Sequence, residues 1–255
     1  MNRVGLGAMR LALGRAVPPK DVALRLLRRA VELGVVHIDS HALYGNAHEL
    51  IREALAPYPD DLVIATKVTR EAPGSLREQV LGDLRRLGQD RLDLVYLRTR
   101  GMGPAGGEPV AEQYAQLLEL RAEGLVRDAG LSHVDGAQLA EARAAGPVAA
   151  VQNRFHLGHD DPVLADCERD GIAYVPYFPL GGGRPLDRPA LATVAARHGV
   201  TPTQAALAWL LAASPVIVAI PGTAALTHLE QNMAAGRLEL DPEDRAALQV
   251  PVSGG

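Results

Sequence analysis

Leu62-Val63-Ile64-Ala65-Thr66-Lys67, then residues 74–87, then Leu92-Asp93-Leu94-Val95-Tyr96-Leu97-Arg98 form a unit that decides the fold. An apolar run of strand length is followed by an amphipathic stretch of helical length and a second apolar run. Near-continuous Val, Ile and Leu is what a strand buried on both faces requires, and helices that cover a parallel sheet bury it that way. The unit repeats from end to end. Strands are expected at 4–8, 35–39, 62–67, 92–98, 126–132, 149–152, 172–177 and 216–220. Helices are expected at 21–33, 47–56, 74–87, 110–123, 136–144, 162–170, 188–198 with 202–213, and 224–235, and one extra helix at 241–248. Gly34, Gly124, Gly171 and Gly199 follow their helices as left-handed caps would. Eight strands with eight crossovers close into a ring, so the expected fold is α/β, a single (β/α)8 TIM barrel over residues 1–255.

An open dinucleotide-binding sheet is the alternative, since Gly5-Leu6-Gly7 follows a short strand and Asp39 ends the next. Against it, Arg10 stands where a third glycine is needed. Pro18 and Pro19 also separate the glycines from the helix that would cradle a pyrophosphate.

The 255 residues suit one large domain, with 47% hydrophobic and 22% charged residues giving ordinary globular composition. A net charge of -4 with no basic stripe argues against nucleic acid and anionic membrane and favours a small-molecule partner. No run approaches membrane-spanning length. The single cysteine, Cys167, cannot form an intrachain disulfide and reads as a buried filler; a cytoplasmic location is expected. The oligomeric state is left open.

In a barrel, the C-terminal strand ends converge on one site. Here they are polar: Asp39, Lys67, Arg98, Ser132, Gln152 with Asn153, and Tyr177, with Tyr44 and Gly45 in the loop after the second strand. Polar groups at an apolar rim are costly unless partnered or used. The chain has two lysines, Lys20 and Lys67, among many arginines, so a lysine ending a buried strand suggests work that guanidinium cannot do. Phenol is a poor proton donor at neutral pH, and a neighbouring ammonium improves it by stabilising phenolate. With Asp39 holding Lys67, Tyr44 can protonate a carbonyl oxygen as hydride arrives at the carbon. The plainer reading makes Asp39 and Lys67 a structural ion pair and Tyr44 a surface aromatic. His156 and His159 with Asp160 and Asp161 could suggest a metal, but no third converging ligand is evident and no metal is expected. The stretch 101–109 is either a substrate lid or a flexible connection.

The segment His37-Ile38-Asp39-Ser40-His41-Ala42-Leu43-Tyr44-Gly45, followed by Asn46 and Glu49, resembles the signature of the aldo-keto reductases. So do Ala65-Thr66-Lys67, Gly130-Leu131-Ser132, Val151-Gln152-Asn153-Arg154, Tyr177-Phe178-Pro179-Leu180 and Ile220-Pro221-Gly222-Thr223. The resemblance runs from Gly5 to about Leu248. It implies NAD(P)H-dependent interconversion of carbonyl and alcohol, with Asp39, Tyr44 and Lys67 at three of four catalytic positions. It further implies that Ser132 and Gln152 bind the nicotinamide carboxamide and that Tyr177 stacks on the ring. Leu180 to Gly183, including Gly182, would line the pyrophosphate, with Thr223 and Asn232 beside the adenosine half.

Three departures stand out. Arg98 occupies the fourth catalytic position, where the family has histidine; a permanent cation can polarise an oxyanion, clamp a substrate carboxylate, or pair with Asp39. His133 stands where asparagine is common. Gly222 and His228 replace cations that often grip the 2′-phosphate, so the expectation of NADPH as cofactor rests on the resemblance alone and NADH is also admitted. The same scaffold would also serve C=C reduction, a redox-neutral rearrangement, or non-catalytic cofactor sensing.

Overall fold

The computed structural model describes residues 3–14, 16–99, 101–103, 105–183 and 188–249. The sheet is parallel, its strands lying side by side in chain order: β1 (Leu6–Gly7), β2 (His37–Asp39), β3 (Val63–Thr69), β4 (Leu92–Arg98), β5 (Val126–Ser132), β6 (Ala150–Gln152) and β7 (Ala173–Tyr174). Helices α2 (Lys20–Glu32), α3 (Ala47–Leu55), α4 (Leu76–Leu87), α5 (Ala111–Ala122), α6 (Gly136–Ala145) and α7 (Val163–Asp170) connect successive strands. A short α1 (Met9–Ala12), absent from the sequence expectation, follows β1, and α8 (Pro189–Arg197), α9 (Pro202–Ala213), α10 (Leu226–Ala235) and α11 (Pro242–Gln249) complete the chain. Gly34, Gly124, Gly171 and Gly199 all have positive φ, as expected of left-handed caps.

The eighth expected strand is reduced to isolated parallel bridges, Tyr174 with Ile217 and Val4 with Ala219. Residues 216–221 nevertheless bond to both sheet edges. Tyr174 N donates to Val216 O and Val218 N to Tyr174 O, while Gly5 N donates to Ala219 O and Gly7 N to Pro221 O. The sheet thus curls until residues 216–221 touch both of its edges. Pro215 and Pro221 bracket the segment and carry no N–H, so no longer ladder can form. Pro176 likewise cuts β7 short of the expected 172–177. At the N-terminal edge, Gly5 and Gly7 direct their N–H groups to 219–221, leaving Leu6–Gly7 as the paired strand.

Two apolar layers result. A large one lies between sheet and helices, and a small inner one joins Ala65, Leu94, Tyr96, Ala150, Val175 and Ile220 with Val63, Ala173 and Val218 against them. These inner residues recur every second position along their strands, the pleat period. One more step along each inner row carries the chain out of the apolar plug.

Candidate active site

That step reaches Lys67 beyond Ala65, Arg98 beyond Tyr96, Gln152 beyond Ala150 and Tyr177 beyond Val175. Strand pairing aligns them across the sheet, Asp39 with Ala65, Arg98 with Ser132 and Ser132 with Gln152. Lys67 and Asp39 are both buried, 3% and 4% exposed, where a lone charge would be untenable. Each satisfies the other. Lys67 Nζ donates to Asp39 Oδ1 and Oδ2, both at 2.8 Å, and to Ser40 O at 2.9 Å. Gln152 Nε2 donates to Asp39 Oδ2 at 2.6 Å. With its three protons committed, Lys67 acts on its aromatic neighbours through its field. Its Nζ lies 5.5 Å from the Tyr44 ring centroid and 5.9 Å from that of Tyr96. Tyr96 is wholly buried, and burial followed by the Asp39 charge raises its pKa well above the ordinary phenol value; it stays protonated. Tyr44 is only partly buried, which leaves it as the phenol open to a ligand.

The loop carrying Tyr44 is fixed from the helix layer. Arg86, in the last turn of α4, donates to Ala42 O at 3.0 Å, to Gly45 O at 2.7 Å and to Glu49 at 2.7 Å. Gly45 has φ of 56°, and a Cβ there would lie 2.8 Å from Ala12 O. Only glycine lets this loop lie so close to α1. His41 packs edge-on against Tyr44, ring centroids 5.4 Å apart. Burial, then the charges of Lys67 and Arg98, hold its pKa at about 3, so the imidazole is neutral.

Arg98 does not pair with Asp39, whose carboxylate Lys67 and Gln152 already occupy. Its Nη1 donates to Ser132 Oγ at 3.3 Å and its Nη2 to Gly101 O at 2.9 Å and Met102 Sδ at 3.0 Å. The guanidinium lies 5.8 Å from the Tyr177 ring centroid. The Tyr177 hydroxyl is 2.8 Å from His133 Nδ1, and His133 holds a left-handed backbone with φ of 63°. Such strain in a non-glycine residue persists only where the surroundings enforce it. Burial lowers the His133 pKa, with Arg98 adding to the effect, and raises that of Tyr177, with Arg98 opposing.

A cavity of about 240 Å³ is lined by Asp39, Tyr44, Tyr177, Leu180, Gly182 and Gly222, among others. Its walls are close-set backbone. A Cβ on Gly7 would meet Ile220 O at 2.8 Å, one on Gly222 would meet Gly7 O at 3.1 Å, and one on Gly182 would meet Phe178 Cγ at 3.2 Å. This glycine-lined trough beside an aromatic ring fits a flat heteroaromatic group with a phosphate tail. Thr223 is buried, its hydroxyl bonded to Ala225 O. Asn232 is buried and His228 exposed on α10. A second cavity, about 460 Å³, carries Arg98 on its wall with Thr69, Arg70, Thr99, Glu108, Gln113 and Gln138. The family model described as "Aldo/keto reductase family" matches residues 3–250 of the chain.

The chain belongs to the aldo/keto reductase family. Among its relatives is pyridoxine 4-dehydrogenase of Escherichia coli strain K12, 46% identical over 95% of this chain and 92% of that protein. Similar solved structures include a thermostable aldo-keto reductase with the inhibitor epalrestat, TM-score 0.87 at 28% identity over 98% of this chain and 94% of that one. Another is an aldo/keto reductase from Klebsiella pneumoniae with NADP and acetate, TM-score 0.84 at 27% identity over 99% and 93%.

Outside this centre, His156 and His159 stack and exchange backbone hydrogen bonds, while Asp161 accepts from Asn153, Tyr174 and the Val163 N–H. Cys167 is buried and its thiol pKa is pushed up to about 12 by burial. Lys20 pairs at the surface with Glu53 at 2.7 Å. The loop 101–109, of which Pro104 lies outside the described residues, lines the second cavity with residues 106–109 and is tied down by Gln138 donating to Glu108 O. No described helix is long and apolar enough to cross a membrane. Sequence reasoning missed Tyr96, His41 and Arg86; the two-residue step from Leu94 to Tyr96 to Arg98 was the available signal for the first.

Proposed function

We propose that this chain is an NADP(H)-dependent oxidoreductase that interconverts pyridoxal and pyridoxine, working as one (β/α)8 domain over residues 1–255. The observation carrying the chemistry is the buried Lys67–Asp39 pair 5.5 Å from the Tyr44 ring, in a trough that Tyr44 shares with Tyr177. The substrate comes from the 46% identical pyridoxine 4-dehydrogenase, and the cofactor from relatives solved with NADP and NADPH.

Ser132, Gln152 and Tyr177 would hold the nicotinamide, Leu180 and Gly182 the pyrophosphate, and Thr223, His228 and Asn232 the adenosine half. When bound, the reduced cofactor supplies hydride to the carbonyl carbon. Tyr44 gives its proton to the carbonyl oxygen, and the Lys67 field stabilises the phenolate left behind. Asp39 and Gln152 keep the ammonium in place, and solvent restores the proton. In the oxidative direction Tyr44 is the base.

Titration of intrinsic fluorescence from Trp209 and the tyrosines with NADPH and NADH separately tests the cofactor. Loss of reduced-nicotinamide absorbance on adding pyridoxal tests the reaction. Pyridoxal consumed without NADPH oxidation would overturn it in favour of redox-neutral chemistry. Cofactor binding without turnover of any carbonyl would favour a sensor.

A further inference from the structure

We propose that Arg98 recognises an ionised hydroxyl on the carbon next to the one bearing the reacting carbonyl, so that the site selects aromatic ortho-hydroxyaldehydes. This rests on the reading of the chain as a carbonyl reductase and names which carbonyls it takes.

The argument starts from charge. Arg98 is partly buried at the end of an inner row, and its hydrogen bonds go to a hydroxyl, a carbonyl and a thioether, all uncharged. Among the described residues no carboxylate pairs with it. Arg70, the other guanidinium on the wall of the larger cavity, is paired with Glu108 at 3.1 Å. The acid at the centre, Asp39, is taken up by Lys67 and Gln152. His41, which touches Tyr44 and feels both Lys67 and Arg98, is uncharged. Lys67 and Arg98 against Asp39 leave these three groups one positive charge in excess, and Arg10 on the trough wall adds no negative charge. A fixed guanidinium in a partly desolvated mouth is stabilised by an anion, and with three of its five N–H groups given to Ser132, Gly101 and Met102, two remain to donate.

Position says where that anion must be. Arg98 lies over the Tyr177 ring, and Tyr177 lines the same trough as Tyr44. The anionic oxygen therefore belongs close to the carbonyl that Tyr44 protonates. Pyridoxal has its ring hydroxyl on the carbon adjacent to the one bearing the aldehyde. Once ionised, that oxygen and the aldehyde oxygen form a pair a guanidinium can grip, and the same contact polarises the carbonyl. During reduction the carbonyl carbon gains the hydride and its oxygen gains the Tyr44 proton. The phenolate keeps its charge on Arg98 throughout.

The test compares kcat/KM of the NADPH-loaded enzyme for salicylaldehyde, para-hydroxybenzaldehyde and benzaldehyde, and for pyridoxal and pyridoxal phosphate, in the natural protein, Arg98→Lys and Arg98→Met. A charged hydrogen bond is worth about ten- to a hundredfold. The natural protein is expected to favour salicylaldehyde over benzaldehyde by that factor, with para-hydroxybenzaldehyde resembling benzaldehyde. The preference should vanish in Arg98→Met and persist in weakened form in Arg98→Lys, which retains the charge; circular dichroism and the NADPH fluorescence titration check that each variant folds. Equal use of the three benzaldehydes, or a preference surviving Arg98→Met, overturns the inference and leaves the reductase reading standing. A preference for pyridoxal phosphate over pyridoxal that Arg98→Met removes also overturns it, assigning Arg98 to a phosphate. Reduction of none of the aldehydes overturns the reductase reading itself.

Discussion

Gln152 reaches across 113 positions of sequence to donate its side-chain amide to Asp39 Oδ2 at 2.6 Å. With both Asp39 oxygens also held by Lys67, the carboxylate is saturated from two sides. Asp39→Asn leaves the ammonium buried without its counter-charge and should cost about 3–5 kcal/mol of stability in denaturant unfolding. Gln152→Ala should cost about 1–3 kcal/mol, since one hydrogen bond is lost and the ion pair survives. Equal costs would mean that the ion pair does not dominate.

Tyr44→Phe keeps the ring that faces Lys67 and His41 and removes only the hydroxyl. Carbonyl reduction should fall about 10²–10⁴-fold while the NADPH fluorescence titration is unchanged. Retained turnover would transfer the acid role to another group.

His37 is buried beneath Asp39, and its pKa is lowered to about 4, chiefly by burial and against the pull of Asp39. Unfolded imidazole titrates near about pH 6.5. Its stabilising contribution is therefore full above about pH 6.5 and is lost as pH falls towards about 4, because the unfolded chain takes up a proton that the native chain refuses. His41 acts with the same sign. Each group should add a slope approaching about 1.4 kcal/mol per pH unit between about pH 6 and 5, above the range where most carboxylates titrate. His37→Leu should flatten that slope in unfolding measurements, since Nε2 has no partner to lose.

Gly7→Ala places a methyl 2.8 Å from Ile220 O, where β1 meets residues 219–221. Overpacking there should cost about 1–3 kcal/mol and weaken NADPH binding in the fluorescence titration. Unchanged affinity would place the cofactor elsewhere.

The strands and the convergence of Asp39, Lys67, Arg98, Gln152 and Tyr177 were legible because the pleat period is written directly in the residue pattern. The last strand was legible as an apolar run, but its extent was not, because Pro215 and Pro221 set hydrogen-bonding limits that hydrophobicity does not report. His41 reads as one more residue of a loop until folding turns it onto Tyr44. Arg98 was visible as a cation at a strand end, yet only coordinates reveal that its partners are all uncharged.

Arg86 remains, an arginine of ordinary helix-surface appearance whose two backbone contacts stake down the loop on either side of Tyr44. The placement of the Tyr44 phenol is thus set from the outer helix layer by a side chain of α4. With Tyr44 as the proposed acid, its anchor is external, and substitutions in the outer helix layer would be felt at the centre of the barrel mouth.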